Sequence, residues 1–403
     1  MIVAGRSANT GYTISLKDAS LTVSINGQAI IACDRAGRLY SVYTQGRHHR
    51  RSLGGQVLQK WHTACGRQRQ WLGQTEADAL IDFAAGRLRQ LFDRLHSPDW
   101  LWSIPPDRPE QLTEWLTVLA RGARFDREAA RSDAARFETV YDQIGVLPPD
   151  QYLALVLQAT QGCSFNTCAF CDLYHQPFRV KTPDEFKWHI ANVREYLGDS
   201  LLLRRRSIFI GAANALAVPM PRLLPLFETI AGEFDTTTHG VYAFLDAFTG
   251  TRKDVADYRA LAGLGLRRVY VGLESGHDPL LEFVRKPGRA ADGIDTVRTI
   301  RAAGVNVGVI VMIGLGGDRF AHGHITDTIH VLDEMQLGAG DLLYFSDLVE
   351  EPGTPYSALA AGHSIRALPS IERAAQRTAI HDRLRFTGSP PKISNYDIRE
   401  FVY

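Results

Sequence analysis

The chain is short of cysteine, of net charge and of long apolar runs. Only five cysteines occur in 403 residues, too few and too unevenly placed for a disulfide scaffold. Lysine and arginine (45) balance aspartate and glutamate (44) to a formal +1. That balance removes the global electrostatic argument for a nucleic-acid or anionic-membrane partner, and leaves any such partner to be argued from a local patch. No stretch approaches the ~20 apolar residues that span a bilayer, and Met1–Asn9 lacks the basic-then-apolar pattern of a signal peptide. A cytoplasmic protein without a membrane partner is expected. What the chain does have is a hydrophobic share of 45%. With a length beyond the point where one core stops growing, this predicts one main domain with attachments.

Four segments follow from the pattern. Residues 1–70 alternate in the strand manner, as in Leu21-Thr22-Val23-Ser24-Ile25 and the turn Asn26-Gly27 before Ala29, and predict a small antiparallel sheet. Residues 71–150 read as a helical segment. It starts at Thr75 as a cap, with Leu80, Phe83, Leu88, Leu91 and Phe92 on one face, passes a proline-rich loop from Ser97 to Pro109, and resumes as helices at Pro109–Ala123 and Asp126–Ile144. From 151 to 360, six apolar strands alternate with amphipathic helices, the sign of a parallel sheet wrapped by helices. The strands are placed near Leu153–Gln158, Ser207–Gly211, Gly240–Leu245, Arg268–Gly272, Asn306–Ile313 and Asp341–Leu348. Residues 361–403 read as a C-terminal helix and tail. The fold class is therefore α/β, a partial (β/α)6 barrel preceded by a small β-sheet and a helical segment, with ligands expected at the C-terminal strand ends.

The chemistry concentrates after the first barrel strand, where Cys163, Cys168 and Cys171 form a C-x4-C-x2-C triplet. Three of so few cysteines within nine residues point to metal ligation. A closed Cys3His zinc site with His175 is one reading. The spacing also matches a plant-type ferredoxin, but that cluster needs a fourth cysteine downstream, and nothing follows Cys171; Cys33 or Cys65 would have to return. Three thiolates on a [4Fe-4S] cubane instead leave one iron without a protein ligand, which suits a catalytic centre at the mouth of a parallel sheet.

With these residues the sequence resembles the radical S-adenosylmethionine (radical SAM) superfamily. Its usual triplet is C-x3-C-x2-C with an aromatic residue before the third cysteine, here Phe170; the extra residue between Cys163 and Cys168 is a departure. The resemblance runs over residues 151 to about 360. It is similar to the branch with oxygen-independent coproporphyrinogen dehydrogenase, the methylthiotransferases and the elongator catalytic subunit. It implies a [4Fe-4S] cluster and SAM as cofactors, with Cys163, Cys168 and Cys171 as metal ligands. It also implies Gly211-Ala212-Ala213-Asn214 as the small-residue segment that accepts the SAM amino group, and Glu274-Ser275 facing its ribose and methionine part. Arg285 or Lys286 is then the partner of the SAM carboxylate, and Val309-Ile310 lies in the adenine platform. The segment Glu351-Pro352-Gly353-Thr354-Pro355 is similar to one that closes the barrel mouth in relatives. Tyr242 and Asp246, on or just past the third strand, are the candidates for substrate contact and catalysis.

The activity implied is reductive cleavage of SAM to a 5'-deoxyadenosyl radical that abstracts hydrogen from a small organic substrate. An electron donor such as flavodoxin or ferredoxin is implied because the cluster must be reduced. A methylthiotransferase needs three further cysteines, a coproporphyrinogen dehydrogenase usually carries another cysteine where Asp172 stands, and a cobalamin-type D-x-H-x-x-G segment is missing. Arg47-His48-His49-Arg50-Arg51, near Tyr40, Tyr43 and Trp61, reads as a solvated hairpin edge before it reads as an RNA-binding face, and Arg204-Arg205-Arg206 reads the same way. A radical SAM enzyme acting on RNA and a non-catalytic iron-sulfur or zinc protein remain the alternatives.

Overall fold

The computed structural model describes the chain except residues 65, 175, 205, 212, 247–252 and 351–352, and the side chains of 109 and 202. Cys65, His175, Arg205, Ala212, Glu351 and Pro352 thus lie outside the described residues. The chain divides into two compact units. One is Met1–Asp142 with Ala191–Arg206 and Val402–Tyr403, and the other is Gln143–Ile190 with Ser207–Phe401.

The first unit is built on an antiparallel sheet. Its strands are β1 (Ile2–Ser7), β2 (Thr10–Lys17), β3 (Ser20–Ile25), β4 (Ala29–Asp34), β5 (Leu39–Thr44), β6 (Arg47–Arg51), β7 (Val57–Thr63), β8 (Gly66–Trp71) and β9 (Leu101–Ile104), in the order β8-β7-β6-β5-β4-β3-β2-β1-β9. The turn between β3 and β4 has positive φ at both Asn26 and Gly27, the backbone that a two-residue hairpin demands of Asn-Gly. Strand alternation buries Val3, Ile14, Val23, Ile31 and Val42 on one face, against Ile81 and Leu88 of the helix Gln74–Leu95 and Trp115 and Leu119 of the helix Pro109–Ala123. The first of these helices is preceded by Gly73, not capped by Thr75. Glu76 reaches back to the Gly73 N–H at 3.1 Å, and the buried stripe centres on Ile81, Ala84 and Leu88 in place of Leu80 and Phe83. The stretch read as a loop between Ser97 and Pro109 contains β9, which pairs antiparallel with β1. Arg38 ties the unit together, donating to Asp133 at 2.6 Å and to Ser200 Oγ at 2.7 Å.

The second unit carries a parallel sheet of β10 (Leu155–Gln158), β13 (Ile208–Gly211), β14 (Val241–Leu245), β15 (Leu266–Glu274), β16 (Asn306–Ile313), β17 (Leu342–Asp347) and β18 (Lys392–Tyr396), paired in that order. A two-stranded ribbon, β11 (Thr160–Gln161) with β12 (Arg179–Val180), is antiparallel and separate. Helices such as Pro183–Leu197, Met220–Glu233, Ala290–Ala302 and Gly317–Met335 alternate with the strands. The architecture is the partial barrel expected from the six units, and the segment read as a C-terminal tail adds β18 as a seventh strand.

One face of the sheet is filled by aromatic rings. Phe209 and Phe244 stand 5.1 Å apart between centroids, Phe244 and Tyr270 5.9 Å, and Tyr344 and Tyr396 5.8 Å. Gly308 makes room for this layer, since a Cβ there would lie 2.6 Å from the Tyr270 ring. Asp150 accepts from the hydroxyls of Tyr270 and Tyr344 at 2.5 and 2.8 Å. Among the described residues no helix is long and apolar enough to cross a membrane.

Candidate active site

The three cysteines sit on a closed loop. Its neck is the β11–β12 ribbon, with Thr160 opposite Val180 and Gln161 opposite Arg179. At the neck Gly162 has φ +67°, and a Cβ there would lie 2.3 Å from the Gln176 carbonyl oxygen, so only glycine fits. Two further anchors hold the loop. Asn214, just past β13, donates from Nδ2 to Ser164 Oγ at 2.7 Å while its Oδ1 accepts the Asp246 N–H at 2.7 Å. On the far side of the loop the Ala169 N–H donates to the Val284 carbonyl at 2.9 Å, and Phe170 packs against a cluster that includes Leu280, Val284 and Leu315.

Beside the loop lies a buried ion pair. Lys286 Nζ donates to Glu274 Oε1 at 3.5 Å. Glu274 has φ +60°, an uncommon conformation for a residue with a side chain and one that accompanies the register shift between β15 and β16. Burial opposes the Lys286 charge, but Glu274, Asp246 and Cys168 outweigh it and raise its pKa, so the ammonium stays protonated. Burial pushes the Glu274 carboxyl up, Lys286 draws it down, and Asp246 adds to the rise.

The thiols belong to the same electrostatic neighbourhood. Burial pushes Cys168 up to about 12, with Lys286 pulling the other way and Cys171, Glu274 and Asp246 adding to the rise. Cys171, exposed at the surface, is raised by desolvation first, against a backbone hydrogen bond from Leu173, and then by Cys163. Tyr174, three residues on, is also raised by burial and then by Cys171 and Cys163. Thiols held neutral in this way ionise readily when a metal centre supplies the compensating positive charge. Among the described residues no three His, Cys, Asp or Glu side chains stand at metal-ligand spacing, so the fit to an iron-sulfur cluster rests on donor chemistry and shared surroundings.

The strand ends thus bring Asn214, Asp246, Glu274 and Lys286 to the cysteine loop. Arg285 is exposed with φ +56°, and it is Lys286 that turns inward. Gly211 lines a narrow cavity on the aromatic face, with Val156, Gln158, Tyr174, Phe209 and Phe244. Ala213 is half-buried. Ile310 shares the face of Gly308 and lies opposite Gly272 in register, while Val309, its neighbour in the strand, points to the other side. Ser275 is fully buried, its hydroxyl 2.8 Å from His324 Nδ1 and accepting the His277 N–H at 3.0 Å. Tyr242 lies at the start of β14, beside Arg268 in register, at the opposite end of the strand from the loop. Sequence reasoning missed Tyr174 and His324. Tyr174 was within reach of notice from its place after Cys171, whereas nothing in the sequence ties His324 to Ser275.

Residues 157–327 match the family model described as Radical SAM superfamily. That stretch, about two fifths of the chain, is similar to the radical SAM superfamily. Among solved structures it is similar to Streptococcus suis SuiB bound to S-adenosylmethionine, at 13% identity and a TM-score of 0.41 over 88% of this chain and 72% of that one. It is similar to coproporphyrinogen III oxidase (HemN) from Escherichia coli at 14% identity and a TM-score of 0.41, over 61% of this chain and 53% of that one. It is also similar to the cobalamin-dependent S-adenosylmethionine radical enzyme OxsB at 14% identity and a TM-score of 0.39, over 59% of this chain and 31% of that one. The chain therefore spans about a third of OxsB and about half of HemN. No curated protein sequence matches it.

Proposed function

We propose that Cys163, Cys168 and Cys171 hold a [4Fe-4S] cluster with one open coordination position, and that SAM binds over the strand ends bearing Gly211, Ala213, Asn214, Glu274 and Lys286. When bound, the cluster and SAM supply reductive cleavage of a carbon–sulfur bond to a 5'-deoxyadenosyl radical, which takes hydrogen from the substrate.

The chain's own residues do the rest. Asn214 fixes the cysteine loop against the ends of β13 and β14, so the loop and the strand ends keep one spacing during turnover. Lys286 sets a buried positive charge among Glu274, Asp246 and the Cys168 thiol, which offsets the negative charge that three thiolates gather there. Phe209, Phe244, Val156 and Leu147 line the narrow cavity with Gln158 as a polar group. Such closely packed walls exclude water from this side of the strand ends. An external one-electron donor, of the flavodoxin or ferredoxin kind, reduces the centre.

The observation that carries this reading is the seating of the cysteine loop on strand ends that carry the Glu274–Lys286 pair. The test is anaerobic reconstitution followed by iron and sulfide analysis, then a reductant and SAM assay for 5'-deoxyadenosine. One cubane per chain with nucleoside release is expected, and Cys168→Ala loses both. Zinc in place of iron without turnover, or full cleavage by Cys168→Ala, overturns the assignment.

A further inference from the structure

The antiparallel unit carries a charge asymmetry that the radical chemistry does not use. Between Arg35 and Thr75 the sequence has eight arginines and lysines and no aspartate or glutamate; the chain totals +1, so all the remaining residues together carry −7. Three of the eight, Arg35, Arg38 and Arg51, turn to Glu114 and Asp133 on the helices. The strand register gathers most of the others on the sheet face that the helices leave uncovered. Tyr43 lies opposite His48, His48 opposite Lys60, and Lys60 opposite Arg69, one row across four strands. Two residues along, His62 faces Arg67; two residues the other way, Arg50 and Trp71 flank Leu58. Lys60 and Arg69 are therefore neighbours about 4.8 Å apart across the strands, Arg67 follows Arg69 about 6.8 Å along β8, and Arg50 lies one row away on β6. Two aromatic rings border them, Tyr43 at 38% and Trp71 at 43% exposure.

We propose that this face, formed by β5 to β8, binds a single-stranded nucleic acid, with Lys60, Arg67 and Arg69 contacting phosphates and Tyr43 and Trp71 stacking on bases. A positive track with interleaved aromatic rings on an open sheet is the arrangement that single strands bind, because phosphates meet cations and every base has a stacking face. Arginines on β8 also discourage pairing at the sheet edge. That role is met by β8 alone, whereas the cations continue inward over β7 and β6. The lowered pKa of His48, caused by burial and then by Lys60, Arg50, His49 and Arg67, reports the same positive field.

The test is fluorescence anisotropy of the full chain with a labelled mixed-sequence oligonucleotide, RNA in one series and DNA in another, between about 50 and 200 mM salt. Binding that weakens linearly in log–log form is expected for at least one of them. The combined Lys60→Ala, Arg67→Ala and Arg69→Ala variant lowers that slope by about 2, and Tyr43→Ala with Trp71→Ala weakens binding about fivefold or more. The same charge removed elsewhere, by Lys187→Ala, Arg383→Ala and Arg385→Ala, leaves binding unchanged. Photo-crosslinking of the wild-type chain maps the contact without any variant, and peptides of β5 to β8 are expected. No binding at low salt, crosslinks elsewhere, indifference to the triple variant, or equal binding to phosphatidylserine vesicles without dependence on Tyr43 and Trp71 overturns the proposal. The assay needs no turnover, so its failure leaves the radical reading standing, and failed SAM cleavage leaves this one standing.

Discussion

His324 gives a stability prediction with a definite sign. Its side chain is fully buried, bonded to Ser275 and close to Thr328 and to the His277–Asp327 pair. Burial, and then the charge of His277, lower its pKa to about 4, with the Met312 backbone opposing. In the unfolded chain the ring titrates near 6.5, about 2.5 units higher. Between those values the unfolded state binds the extra proton, so stability rises with pH across this window and is lost as pH falls through it. Integration gives a loss of about 2 kcal/mol by pH 5 and about 3 kcal/mol by pH 4, relative to pH 7. Many carboxylates titrate in the same range, so the measurement is a comparison. Urea midpoints of the wild type and His324→Gln, whose amide keeps a partner for Ser275, are followed from pH 7 to pH 4. The wild type should lose about 3 kcal/mol more than the variant. Parallel curves would refute a buried neutral imidazole behind the end of β15.

Three further outcomes follow from the site. Lys286→Met leaves Glu274 buried without its ammonium and should cost about 3–5 kcal/mol. Adding Glu274→Gln should restore most of it in a double-mutant cycle read by guanidinium unfolding, and no restoration would mean the pair is not the cause. Asn214→Ala removes two bonds worth about 1 kcal/mol each. Limited proteolysis should then cut the 162–178 loop faster and 5'-deoxyadenosine formation should drop about tenfold, with little change in global melting; unchanged proteolysis would count against the anchor. Gly162→Ala forces a Cβ onto the Gln176 carbonyl at positive φ, a cost above about 1–2 kcal/mol. Iron content after reconstitution should fall while circular dichroism stays native.

Much of this fold was legible because its patterns are local. Alternation marks β1 to β5, Asn26-Gly27 marks its turn, and short apolar runs mark the parallel strands. β9 was not legible, since Leu101–Ile104 is short, flanked by prolines and paired with β1 almost a hundred residues earlier. Lys392–Tyr396 reads as a tail because it follows two prolines and holds three polar residues, and only its neighbour β17 makes it a strand. In the site, the cysteines stood out by their scarcity. The Glu274–Lys286 pair could not, because the eleven residues between them fold back through a helix that no motif announces. Tyr242 lies at the start of β14 and Asp246 follows its last residue, Leu245, so of the two only Asp246 stands at the C-terminal strand end that faces the loop.

The one departure from the superfamily's usual cysteine spacing has a physical reading in these anchors. Four residues, Ser164 to Thr167, separate Cys163 from Cys168, and the loop is held on both sides of the stretch, by Asn214 at Ser164 and by Val284 at Ala169. Between these points Asn166 takes φ +51°, a conformation that asparagine adopts at little cost, and Asn166 and Thr167 are exposed. The surplus residue is therefore taken up as an outward bulge between two fixed points. Cys168 and Cys171 keep their place beside Lys286 and Glu274, as the electrostatic coupling among the four groups requires. A longer spacing is tolerable where the loop is pinned at Ser164 and Ala169; the same insertion between Cys168 and Cys171, where the Cys171 N–H already bonds the Cys168 carbonyl at 3.1 Å, would have no such slack to use.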